Sequence, residues 1–153
     1  YAILEPDKSD LRHGKKIVRY VDRYRPIRDW TERRIWDLLE KYRVKPHPCY
    51  FMGFGRCSCK FCIFGNANQF ASAACISHQN FSQLVKFEKE FGYTLKRDTD
   101  LSTLIKKGVP YRDITPELAR LATSYQYNSD IFIPYTQQWE LPAGAFKKCG
   151  GPM

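Results

Sequence analysis

Pro46-His47-Pro48-Cys49-Tyr50-Phe51-Met52-Gly53-Phe54-Gly55-Arg56-Cys57-Ser58-Cys59-Lys60-Phe61-Cys62 is the stretch on which the reading of this chain turns. Each proline pushes the residue before it toward extended backbone, so a helix cannot run through Pro46 and Pro48. The two glycines and four thiols that follow offer no apolar stripe with a helical or strand period. Cys59 and Cys62 form a Cys-x-x-Cys pair, a spacing that lets two sulfurs reach one metal or close a disulfide. Cys57 adds a third sulfur, and Cys49 and Cys75 flank the group, with His47 and His78 near it in sequence.

Five of the six cysteines fall between 49 and 75, and the sixth is Cys149. A secreted disulfide scaffold would be shorter, denser in cysteine and preceded by a signal segment, whereas the first twenty residues here are polar and charged. The cluster therefore reads as thiolate ligands in a reducing cytoplasm. Tetrahedral zinc needs four nitrogen or sulfur donors, and a [4Fe–4S] cluster takes four cysteines. Cys49, Cys57, Cys59, Cys62 and Cys75 could supply either, with Cys59 and Cys62 expected to share the centre. Redox-active thiols and buried structural cysteines are the competing readings. Ordering residues 46–80 costs about 1–2 kcal/mol each in backbone entropy. A zinc site supplies on the order of 10–16 kcal/mol in small peptides, which favours a metal.

Outward from that loop the chain reads as helices. Asp29 stands three residues before Glu32 in a capping-box-like pattern, and Ile35, Leu38, Leu39 and Tyr42 form one apolar face. A second helix is expected from Phe81 to Phe91, capped by Asn80 and stopped by Gly92. A third is expected from Leu101 to Lys107 between Asp100 and Gly108, and a fourth from Pro116 to Ser124 behind Thr115. From Ile131 the prolines and glycines give an extended arm. Ile17 to Val21 alternates weakly, in the manner of a short strand. The fold class is thus mostly α, with irregular cysteine-rich loops and at most one or two short strands. The expected division is a lead-in over 1–24, a main region over 25–146 containing the cysteine-rich loop 46–80, and a tail over 147–153.

With 153 residues, 43% of them hydrophobic, the chain can bury a core, and no apolar run is long enough to span a bilayer. A formal charge of +9 favours anionic partners, whether a nucleotide, sulfate or phosphate groups, or nucleic acid, and a solvated basic surface is the competing reading. Arg56, just before the thiols, has the planar fork that holds phosphate or sulfate.

These residues resemble a family. Arg25-Pro26-Ile27-Arg28-Asp29-Trp30-Thr31, with Ile35-Trp36 after it, is similar to the RPI-x-D-W-T…V-W element of PAPS reductases and related sulfonucleotide enzymes. Pro48 to Phe54 resembles their P-x-Y-x-x-G-(F/Y), and Ser58-Cys59-Lys60-Phe61-Cys62-Ile63 stands where they have G-C-x-x-C-T. Phe81–Gly92 and Leu141–Phe146 resemble a phage- and bacteroidete-associated branch.

The resemblance implies an enzyme of sulfur metabolism acting on an adenine nucleotide, by sulfonucleotide reduction or sulfur transfer, with an iron–sulfur cluster or zinc on its cysteines. It also implies that Tyr50 lines the nucleotide pocket; Arg25, beside the Pro26-Ile27 turn, and Arg56 are the candidate contacts to an anionic substrate, with an ion pair to Asp22 or Asp29 the competing reading for Arg25. The family's S-G-G-x-D-S phosphate loop is not in the chain, which begins at Tyr1. The expectation is therefore the C-terminal part of a larger α/β protein, inactive alone, its nucleotide bound through an N-terminal domain. The family's catalytic motif, E-C-G-(L/I)-H, shares only Cys-Gly with Lys148-Cys149-Gly150-Gly151-Pro152. No catalytic residue is assigned, and Cys149 reads as a tail thiol. Two alternatives follow: an ATP-dependent DNA or tRNA sulfur-modification protein, and a non-catalytic zinc-stabilised module for nucleic acid or protein.

Overall fold

The computed structural model describes residues 24–126 and 128–147. Six helices lie among them, and strand structure there amounts to two isolated antiparallel bridges, Val44–Phe132 and Lys96–Thr99. The chain is mostly helical, with cysteine-bearing loops. The alternating residues 17–21 and Cys149 lie outside the described residues. None of the described helices is long and apolar enough to cross a membrane.

The chain divides into two units between Ile35 and Trp36. In the first, Pro26 and Ile27 sit in a turn closed by Arg28 N–H donating to the Arg25 carbonyl at 3.3 Å. Helix α1 (Glu32–Lys41) starts here. Its cap is Thr31 rather than the expected Asp29: the Thr31 hydroxyl accepts the Arg34 N–H at 3.3 Å, the usual N-cap to N3 bond. The Arg34 guanidinium lies 4.3 Å from the Trp30 ring centroid.

In the second unit the remainder of α1 buries Trp36, whereas Leu38 and Tyr42 are exposed. The expected stripe through Leu38 and Tyr42 is therefore displaced to one through Trp36 and the half-buried Leu39. The indole offers more area to bury than any leucine of the helix, and it meets the Tyr50 ring edge-on, centroids 5.3 Å apart. Two residues past the end of α1 stands Arg43, whose φ of 55° lies in the left-handed region. Its side chain donates to the carbonyls of Ile133 (2.9 Å), Pro134 (2.8 Å) and Gln137. The indole N–H of Trp139 donates to the Val44 carbonyl at 2.9 Å. The arm after residue 130 is thus tied back to the end of α1.

The segment expected to be a long irregular loop holds two helices of its own, α2 (Pro48–Phe51) and α3 (Ala67–Ile76). Helix α3 starts with a reciprocal capping box: the Asn66 side chain accepts from Gln69 N–H, and the Gln69 side chain from Asn66 N–H, each at 3.0 Å. Helix α4 (His78–Phe91) begins three residues before the expected start and ends at Gly92, φ 67°. Helix α5 (Leu101–Lys106) is capped by Asp100, and α6 (Pro116–Thr123) by Thr115, as expected.

Helix α3 packs against α4 and α5, and α2 against α6. Phe70, Ala74, Phe81, Leu101 and Leu104 form the buried cluster, with Phe61 from the cysteine loop packed on it. The Glu88 carboxylate accepts from Leu95 N–H and Leu101 N–H, both at 2.8 Å, closing the connection between α4 and α5. Polar residues of α3 hold the chain after α5: Ser72 accepts from Tyr111 N–H at 2.8 Å and Asn68 from Val109 N–H at 2.9 Å. The core therefore anchors the C-terminal side of the cysteine loop through Phe61 and α3.

Candidate metal centre

His47, Cys49 and Cys57 bring their ligand atoms within 4.8 Å of one another. Short-range geometry sets the first two. His47 is the N-cap of α2, and its Nδ1 accepts the backbone N–H of Cys49 at 3.2 Å, which fixes the ring. Binding a metal through Nδ1 exchanges that hydrogen bond for a metal bond. Cys57 arrives from the loop, and its position is set by Tyr50, whose hydroxyl accepts the Cys57 N–H at 3.2 Å. Tyr50 is itself held by the Trp36 ring, and its carbonyl accepts from Gly144 N–H at 2.7 Å. A Cβ at Gly144 would lie 2.1 Å from the Phe54 carbonyl oxygen, so only glycine fits there.

Protonation suits a metal. Burial lowers the His47 pKa below its usual value, leaving a neutral imidazole with a lone pair to give. Burial, then the neighbouring Cys57, push the Cys49 thiol up to about 12. Cys49 therefore keeps its proton until a cation displaces it. Two sulfurs and one imidazole are zinc donors. An iron–sulfur cluster usually takes cysteines alone, and the histidine in this group does not match that.

The remaining cysteines divide. Cys59 and Cys62 lie outside the three-ligand group but line the same cavity, of about 90 Å³, which the group also faces. Cys62 accepts from Arg56 Nη2 at 3.1 Å. The backbone N–H of Phe64 first, then the Arg56 charge, hold its thiol below the usual value, against burial acting the other way. Cys75 lines a different cavity, with His78 and Phe81. Arg56 is a wall of the thiol cavity, Tyr50 supports the loop from behind, and Arg25 belongs to the first unit.

His47 is a candidate ligand outside the five cysteines that the sequence singled out. The signal was its place two residues before Cys49, where a short turn brings both side chains together.

No family model matches the chain, and no solved structure matches it. A curated relative from Escherichia phage 186, described as an uncharacterized 37.8 kDa protein in the gpa 5′ region, is 27% identical over 66 residues. That match covers 43% of this chain and 20% of the relative, so the chain spans about a fifth of the protein it resembles.

Proposed function

We propose that this chain is the C-terminal part of a PAPS-reductase-like enzyme of sulfur metabolism, supplying a zinc-holding, thiol-lined cavity to a reaction on an adenine nucleotide. The observation that carries the reading is the convergence of His47, Cys49 and Cys57 beside a cavity walled by Arg56, Cys59 and Cys62. Two of the segments that resemble the family, Pro48–Phe54 and Ser58–Ile63, supply Cys49, Cys59 and Cys62. Zinc there would hold the loop in place and polarise a bound oxyanion or sulfur atom. The cation Arg56 on the same wall suits a sulfonucleotide's negative charge.

Two measurements test the parts separately. Elemental analysis after anaerobic purification should find one zinc per chain, lost in Cys49→Ser and Cys57→Ser. Iron with broad visible absorption would replace zinc by a cluster. Calorimetry should show micromolar binding of ATP or PAPS to a longer polypeptide carrying a phosphate loop, and none to this chain alone. A longer protein that binds neither nucleotide would refute the enzymatic reading.

The formal charge of +9 supports a second reading, a zinc-stabilised module that binds nucleic acid, alone or within a DNA or tRNA sulfur-modification protein. Its signature is salt-sensitive binding.

A further inference from the structure

We propose that Cys62 is not a metal ligand but a nucleophilic thiolate, held by Arg56 to attack small anionic disulfides that enter the cavity. Three features carry this. Arg56 Nη2 donates to Cys62 Sγ at 3.1 Å, placing a permanent cation on that sulfur. A thiolate balanced in this way has less to gain from a metal than Cys49 or Cys57, whose sulfurs sit with the His47 ring. Both Arg56 and Cys62 form walls of one cavity, so the sulfur has a space in which to meet a reactant.

The third feature names the reactant's charge. Arg56 Nε is buried and has no hydrogen-bond partner among the described residues. A buried donor left unpaired is costly, and an acceptor on an incoming ligand relieves it. A guanidinium with one edge on sulfur and a donor unused suits a carboxylate or other oxyanion close to the reacting sulfur. The lowered Cys62 thiol agrees with this placement.

The step balances without a further co-reactant. Cys62 Sγ gives its electron pair to one sulfur of the disulfide, a new S–S bond forms, and the old one breaks. The departing sulfur leaves as a thiolate. Cys62 is oxidised and the departing half is reduced.

The assay holds no nucleotide, so its result is independent of the adenine-nucleotide reading. Zinc-loaded protein is treated with dithiodiglycolate, an anion, or with cystamine, a cation of similar size. Mixed disulfides at Cys62 and at the exposed Cys75 are followed by peptide mass spectrometry. Cys75 reports how the protein's overall charge biases each reagent. Cys62 should react with dithiodiglycolate about tenfold or more faster than Cys75, and should prefer the anion more strongly than Cys75 does. Arg56→Met should remove both differences, and Arg56→Lys should keep part of the charge preference. Zinc should stay bound in Cys62→Ser. Equal rates at the two cysteines, the same charge preference at both, or loss of zinc in Cys62→Ser overturns the proposal. Should Arg56→Met fail to fold by circular dichroism, the comparison of Cys62 with Cys75 in the unaltered protein decides alone.

Discussion

The Tyr50 hydroxyl accepts the backbone N–H of Cys57 at 3.2 Å, joining the helix that carries Cys49 to the loop that carries Cys57. A phenol one turn from one ligand thus sets the distance to another. Tyr50→Phe keeps the ring against Trp36 and removes that bond. Zinc affinity should fall about tenfold, as for other residues that orient ligands, while the melting transition loses no more than about 1 kcal/mol. Competition with a chromogenic chelator measures the first and thermal unfolding of metal-free protein the second. Unchanged affinity would separate Tyr50 from the site.

Protons should be released as zinc binds. Cys49, with its pKa near 12, is protonated at neutral pH, so its proton must leave. Calorimetry in buffers of different ionisation heat should show this release, and affinity should rise with pH. Burial lowers the His47 pKa, so a proton competes with zinc for that ring only in more acidic solution than at an ordinary histidine.

The metal-free protein has its own pH dependence. Folded Cys49 binds its proton more tightly than an unfolded cysteine, whose usual value is 9.0. Between 9.0 and about 12 the folded state therefore carries the extra proton, and stability falls as pH rises through that window. The fall should be smaller in Cys49→Ala than in the unaltered protein. Parallel stability curves for the two would show that Cys49 is not buried as described.

Helix α3 should be the stability-limiting element of the second unit. Asn66→Ala removes one half of the capping box and should cost about 1 kcal/mol. Phe70→Ala empties a site that is 1% exposed and should cost about 3–5 kcal/mol. Urea titration of both variants checks the order. A larger loss at Asn66 than at Phe70 would mean the helix is held by its end and not by its buried face.

Nucleic acid binding has a quantitative signature. A surface that neutralises about four phosphates gives a log–log salt slope of roughly −3.6, at about −0.9 each. Fluorescence anisotropy with duplex DNA and with tRNA, between low and moderate salt, measures it. Submicromolar affinity with that slope would move the nucleic-acid reading ahead of the nucleotide one, and absence of binding leaves the nucleotide reading in front.

The ends of α4, α5 and α6 were legible in the sequence because Gly92, Asp100 and Thr115-Pro116 act through the backbone beside them. Helix α3 was not, because residues 69–74 are all buried. A helix buried over six consecutive residues has no polar face there, so Gln69-Phe70-Ala71-Ser72-Ala73-Ala74 shows no 3.6-residue stripe. The expected face of α1 failed for another reason: Leu38 and Tyr42 had the right period, but Trp36 found a partner in Tyr50, far away in sequence. At the site, the crowding of thiols was visible from residue types alone. Which of them meet His47 depends on the turn at α2 and the path from Phe54 to Cys57, and neither has a periodic signal.

Gly144 and Trp139 carry a consequence for how the molecule comes into being. The ribosome finishes Cys49 and Cys57 many codons before it reaches the residues that brace them, because Tyr50 and Val44 receive their bonds from Gly144 and Trp139. During that interval the helix bearing Cys49 lacks the bonds that Gly144 and Trp139 bring to its surroundings. The speed at which the final third is translated therefore bears on how soon the thiols reach their final places.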